Sequence, residues 1–166
     1  MTTITVEIAH ANTALGLWNP QDVRCTLLCQ ILRFSENQMT DDTVMGRCLC
    51  GAVRYEIDEP TDVWYCHCES CRRNTGAPIT AWALTPIESV TWSAGKQARH
   101  ESSTGVFRGF CRDCGTPLSY ETLYEGQSII CFLTGTLDHP DRHPPTRHVF
   151  HAEHIAWFNM NDDLPR

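Results

Sequence analysis

Seven cysteines in three short clusters constrain this 166-residue chain more than any other feature. Cys48-Leu49-Cys50-Gly51 is a C-x-C pair that can aim both sulfurs at one ion only if the backbone turns, and Gly51 permits the turn. Cys111-Arg112-Asp113-Cys114-Gly115 is a C-x₂-C-G knuckle, in which a tight turn presents two sulfurs and nearby backbone N–H groups to one metal. Two plus two sulfurs make a closed tetrahedral shell, the usual structural zinc site. The pairs stand far apart in the chain, so the ion would clip an early strand to a late one. Cys66-His67-Cys68-Glu69-Ser70-Cys71 is different: C-x-C-x₂-C gives three sulfurs within six residues and leaves a fourth position open. An open position is the mark of a catalytic rather than a structural zinc. The spacing therefore predicts two Zn²⁺ per chain, with Cys48, Cys50, Cys111 and Cys114 holding one and Cys66, Cys68 and Cys71 the other. A second site that is only structural or vestigial is the alternative for the three-sulfur cluster.

Disulfides compete poorly with this reading. The N-terminus has no basic segment followed by an apolar run, so the expected location is the reducing cytoplasm, where clustered cysteines serve metal. No stretch approaches the roughly 20 apolar residues of a membrane-spanning helix. The formal charge is −7; seven thiolates add seven negative charges and two zinc ions return four, leaving the loaded protein near about −10. That balance argues against nucleic acid as a partner. It leaves room for a small anionic ligand held by local arginines.

Residues 1–44 read as an extension: a docked helix with apolar spacing over Asp22–Phe34, a disordered segment, or an over-long start assignment ahead of Met39 or Met45. Residues 45–166 read as the zinc-binding domain. Strands are expected at Ala52–Ile57, Asp62–Cys66, Ile79–Leu84, Val90–Ser93, Gly105–Phe110, Leu118–Thr122, Ser128–Leu133 and near Arg147–Phe150, with one helical turn at Ser70–Thr75. The fold class is mainly β, in short twisted antiparallel sheets with little helix. Cys131, in an apolar run, reads as a buried small hydrophobe. His67 reads as a supporting or packing residue, the C-terminal histidines as surface, Trp64, Trp82, Trp92 and Trp157 as core or rim, and Asp162–Asp163 as a solvated tail.

The segments GRCLCGAVRY (Gly46–Tyr55), CHCESCRRNTGA (Cys66–Ala77), FRGFCRDCGTPLSY (Phe107–Tyr120) and WFNMNDDLPR (Trp157–Arg166) resemble the glutathione-dependent formaldehyde-activating enzyme family (GFA), which includes centromere protein V (CENP-V). The resemblance runs from Gly46 to the C-terminus. It implies a β-tent (Mss4-like) fold around two zinc sites, with the cysteines divided as above. For enzymatic members it implies carbon–sulfur lyase chemistry, the addition of the glutathione thiol to formaldehyde. Arg72 and Arg73, directly after the third sulfur, are the candidates to hold glutathione carboxylates, against the plainer reading of solvent-facing charges on a turn. The expected partners are thus a small thiol and a small aldehyde. The competing functions are a non-catalytic zinc-dependent thiol carrier and a zinc-stabilised interaction module.

Overall fold

The computed structural model describes residues 43–166, and the helix expected over Asp22–Phe34 and the nature of the extension lie outside the described residues. The described chain is mainly β, as the alternating patterns predict. Its strands are β1 (Thr43–Arg47), β2 (Arg54–Asp58), β3 (Asp62–Cys66), β4 (Thr80–Pro86), β5 (Thr91–Ala94), β6 (Ala98–Ser103), β7 (Val106–Phe110), β8 (Pro117–Tyr124), β9 (Gln127–Leu133) and β10 (His148–Val149). The one α-helix among the described residues, α1, spans Glu69–Thr75. Strand β1 begins at Thr43, two residues inside the segment read as an extension. No described helix is long and apolar enough to cross a membrane.

Two sheets form. The smaller has the order β1-β2-β5, and the larger β10-β3-β4-β9-β8-β7-β6. All pairings in the larger sheet are antiparallel except β10 with β3. The central position of β9 explains its sequence. The run Ile129-Ile130-Cys131-Phe132 is buried at every residue, because alternate side chains point to opposite faces and both faces are covered. Ile130 and Phe132 join Val44, Val53, Tyr55 and Ile57 from the small-sheet region in one core. Ile129 and Cys131 join Trp82, Cys66 and Cys71 in a second core, on the face that α1 covers. In the first core, Tyr55 stacks on Phe132 with ring centroids 3.8 Å apart, and its hydroxyl bonds to Thr136 at 2.6 Å. The large sheet thus separates two cores, one taking in Cys48 and Cys111 and the other Cys66 and Cys71.

Two expectations about aromatic and acidic residues need correction. Trp157, expected in the core or at its rim, is 74% exposed. Asp162 is not a free solvated side chain, since it bonds to His148 and Arg166.

Candidate metal centres and their surroundings

The four-sulfur cluster forms where two turns meet. Cys48 directly follows β1 of the small sheet, and Cys111 directly follows β7 of the large one. After each, the chain reverses through a left-handed glycine: Gly51 at φ 77° donates to the Cys48 carbonyl at 3.1 Å, and Gly115 at φ 73° to the Cys111 carbonyl at 2.9 Å. These turns bring the sulfurs of Cys48, Cys50, Cys111 and Cys114 within 4.8 Å of one another. Sulfurs about 2.3 Å from a tetrahedral zinc stand about 3.8 Å apart. The observed separations are 3.5 Å for Cys48–Cys50 and 3.8 Å for Cys50–Cys111, so the donor set fits that ion. Val53 N–H donates to Cys48 Sγ at 3.3 Å and the Thr116 hydroxyl to Cys114 Sγ at 3.0 Å. Donors of this kind favour thiolate. The Thr116 hydroxyl and backbone amide pull Cys114 down to about 5.

The three-sulfur cluster is assembled by the end of β3 and the start of α1. Cys66 closes the strand, Cys68 caps the helix by accepting the Cys71 N–H at 3.4 Å, and Cys71 faces the core from the first turn. Their sulfurs also lie within 4.8 Å of one another, and no fourth His, Cys, Asp or Glu atom of the described residues completes the group. Cys66 and Cys71 are buried and Cys68 is partly exposed. Hydrogen bonds shared with Cys66 and Cys68, then the guanidinium of Arg108, hold the Cys71 thiol far below its usual range; the same sharing pushes Cys66 up. Three sulfurs this close together, two of them buried, are suited to a divalent cation.

Arg108 has no counterpart among the residues singled out from the sequence. The sequence marks its segment, Gly105–Phe110, only as a strand and leaves the face of Arg108 open. The register decides it: Arg108 opposes Tyr120, Tyr120 opposes Cys131, and Cys131 opposes Leu84 across four strands. Arg108 therefore shares the face of Cys131, the face α1 covers. It is 7% exposed, its Nη1 donates to Cys71 Sγ at 3.5 Å, and its guanidinium lies 4.8 Å from the Tyr120 ring centre.

His67 is buried between two cysteine neighbours but joins neither sulfur group, consistent with a supporting position. Its Nε2 is 2.7 Å from His148 Nδ1, and His148 Nε2 is 3.1 Å from Asp162 Oδ1. A carboxylate only accepts. His148 therefore donates from Nε2 to Asp162, and the tautomers of the two rings set the direction of the bond between His67 Nε2 and His148 Nδ1. His67 Nδ1 is buried without a hydrogen-bond partner among the described residues. Burial, followed by the neighbouring His148, His151 and His154, holds His67 down to about 4, which keeps it neutral. The C-terminal histidines therefore do more than decorate the surface: His143 and His148 are buried, and the His151 and His154 rings stack 4.6 Å apart beside His67. Among the described residues they do not reach metal spacing with a third ligand.

Arg72 and Arg73 lie on α1, immediately after Cys71. Arg73 pairs with Glu69 at 2.7 Å on the exposed side, and Arg72 donates to the carbonyls of His67 at 3.1 Å and Glu153 at 3.2 Å. Both border an open cleft of about 320 Å³ completed by Gly76, Ala77, Pro78, Ile155 and Trp157. Trp157, though exposed, lines this cleft.

Comparison with known proteins bears on the whole arrangement. A curated protein of Schizosaccharomyces pombe, described as an uncharacterized lyase, is 39% identical over 77 residues, which is 45% of this chain. The match spans 55% of that protein's own length. A crystal structure of a Rhodobacter sphaeroides protein superposes with a TM-score of 0.48 at 24% identity, over 57% of this chain and 87% of the other. The family described as glutathione-dependent formaldehyde-activating enzyme matches residues 43–153, which takes in both cysteine clusters, Arg72, Arg73 and Arg108. The chain belongs to the glutathione-dependent formaldehyde-activating enzyme family.

Proposed function

We propose that the protein is a zinc-dependent carbon–sulfur lyase that adds a small thiol, with glutathione as the leading candidate, to formaldehyde or a related small aldehyde. The observation that carries this reading is the difference between the two clusters: one offers four sulfurs, the other three and no fourth protein donor among the described residues. The family membership supports the same chemistry. In this proposal Cys48, Cys50, Cys111 and Cys114 hold a structural Zn²⁺, and Cys66, Cys68 and Cys71 hold a second. A zinc with an open position supplies Lewis acidity that keeps a thiol ionised at neutral pH.

The chain's own residues bind and orient. Arg72 and Arg73 border the cleft and present guanidinium groups suited to carboxylates, while Pro78, Ile155 and Trp157 give it an apolar wall. Arg73 would exchange its exposed Glu69 partner for a ligand carboxylate, a low-cost exchange because surface pairs contribute about 0–1 kcal/mol. In the net reaction a sulfur–carbon bond forms, the carbonyl π pair moves to oxygen, and that oxygen takes up the proton the thiol gave up. The product is an S-hydroxymethyl thiol when the aldehyde is formaldehyde.

The test joins an aldehyde–thiol adduct assay to metal quantification. Replacing Arg72 and Arg73 together by alanine should weaken glutathione binding by about tenfold, with zinc content unchanged. Equal affinity in the double variant would remove both arginines from the site. Tight glutathione binding without faster adduct formation would make the protein a thiol carrier instead.

A further inference from the structure

A buried guanidinium normally has a carboxylate beside it, because an unpaired charge taken out of water is costly. Arg108 has none among the described residues. Its hydrogen bond goes to Cys71 Sγ and its flat face lies over Tyr120. The compensating negative charge therefore belongs to the three-sulfur cluster. Three thiolates around one divalent cation carry a net −1, and Arg108 brings the assembly to zero. The four-sulfur cluster is treated differently. Its donors are backbone amides and a threonine hydroxyl, Cys50 is exposed to water, and no side-chain cation of the described residues bonds to its sulfurs.

This asymmetry bears on what the open position accepts. An incoming anion would raise a site without Arg108 from −1 to −2 in a partly buried pocket, where charge is poorly screened. With Arg108 the same step runs from 0 to −1.

We propose that Arg108 is a positioning residue that, through Cys71, tunes the three-sulfur centre to take an anionic fourth ligand in preference to a neutral one. The inference rests on the metal-site reading above. It adds a reason why a thiolate, rather than the uncharged thiol or water, is the species that occupies the site. The contact through which the guanidinium does this is its bond to the cysteine sulfur.

The experiment uses the full chain with cobalt in place of zinc, reading the visible bands of the cobalt centre during titration. Azide serves as a simple anion, imidazole as a neutral ligand, and glutathione as the candidate substrate. In Arg108→Met, metal content should stay at the wild-type level, azide affinity should fall by about tenfold or more, and imidazole affinity should hold. Arg108→Lys keeps the charge and should retain the azide affinity within about threefold. Azide binding unchanged in Arg108→Met would overturn the proposal, as would parallel loss of azide and imidazole, which marks a collapsed pocket. Should Arg108→Met fail to fold, loss of the anion preference in Arg108→Lys is the overturning result. Wild-type protein that takes azide but no glutathione would defeat the thiol reaction while leaving this inference standing.

Discussion

The carboxylate of Asp162 ends a hydrogen-bonded line that runs through His148 to His67, the residue between two of the three clustered sulfurs. Its partial burial pushes its pKa up, but the bonds from His148 and the Leu164 amide, with the nearby Arg166, outweigh this and hold it below the usual carboxylate range. A carboxylate depressed by folding adds stability above its unfolded pKa and loses it as pH falls through its folded pKa. The stability that Asp162 contributes should therefore be lost as pH falls below about 4, and Asp162→Asn should flatten that part of the acid limb while lowering the plateau at neutral pH. Thermal melts from acid to neutral pH check this. Parallel curves for the two proteins would detach Asp162 from the line. None of this was visible in Asp162-Asp163 near the end of the chain, where two adjacent acids read as solvated. The pairing depends on the last residues folding back onto β10, as the His148 N–H to Pro165 carbonyl bond at 2.7 Å shows.

The β8–β9 hairpin shows what one element contributes and how far its sequence gives it away. Phe132 is fully buried under Tyr55, while Leu123 near the hairpin tip is 69% exposed. Phe132→Ala should cost about 3–5 kcal/mol in denaturant unfolding, and Leu123→Ala less than about 0.5 kcal/mol. Similar costs at the two positions would mean that the core does not depend on the stacked pair. Strand Arg54–Asp58 was legible because one face is buried and the sequence alternates accordingly. Strand β6 was not: Ala98–Ser103 is the outer edge of the large sheet, five of its six residues are exposed, and no alternation results. The cysteine clusters were legible because their chelating geometry is local in sequence, C-x-C, C-x-C-x₂-C and C-x₂-C. Arg108 was not, since only the register across four strands turns a charged strand residue toward Cys71.

At the scale of the whole described domain, the two clusters sit on opposite faces of the large sheet and tie together different lengths of chain. Cys50 and Cys111 are 61 residues apart, and they join the small sheet to the large one. Cys66 and Cys71 lie within one strand–helix junction. By loop-closure entropy alone, clipping the longer segment constrains the unfolded chain by about 2 kcal/mol more than clipping the shorter. Metal binding itself outweighs that difference. Apparent binding energies of structural zinc, about 10–16 kcal/mol, match or exceed the net stability of a typical domain, about 5–15 kcal/mol. With zinc at both clusters, Cys111→Ser should leave the small sheet without its anchor and the domain unfolded at room temperature. Cys71→Ser should lose about one zinc per chain yet keep a cooperative melt, because Trp82, Ile129 and Cys131 still pack on that face. Metal quantification and circular dichroism on the two variants decide between these outcomes. If Cys71→Ser also unfolds the domain, both clusters are architectural and the three-sulfur site loses its distinction as the place for chemistry.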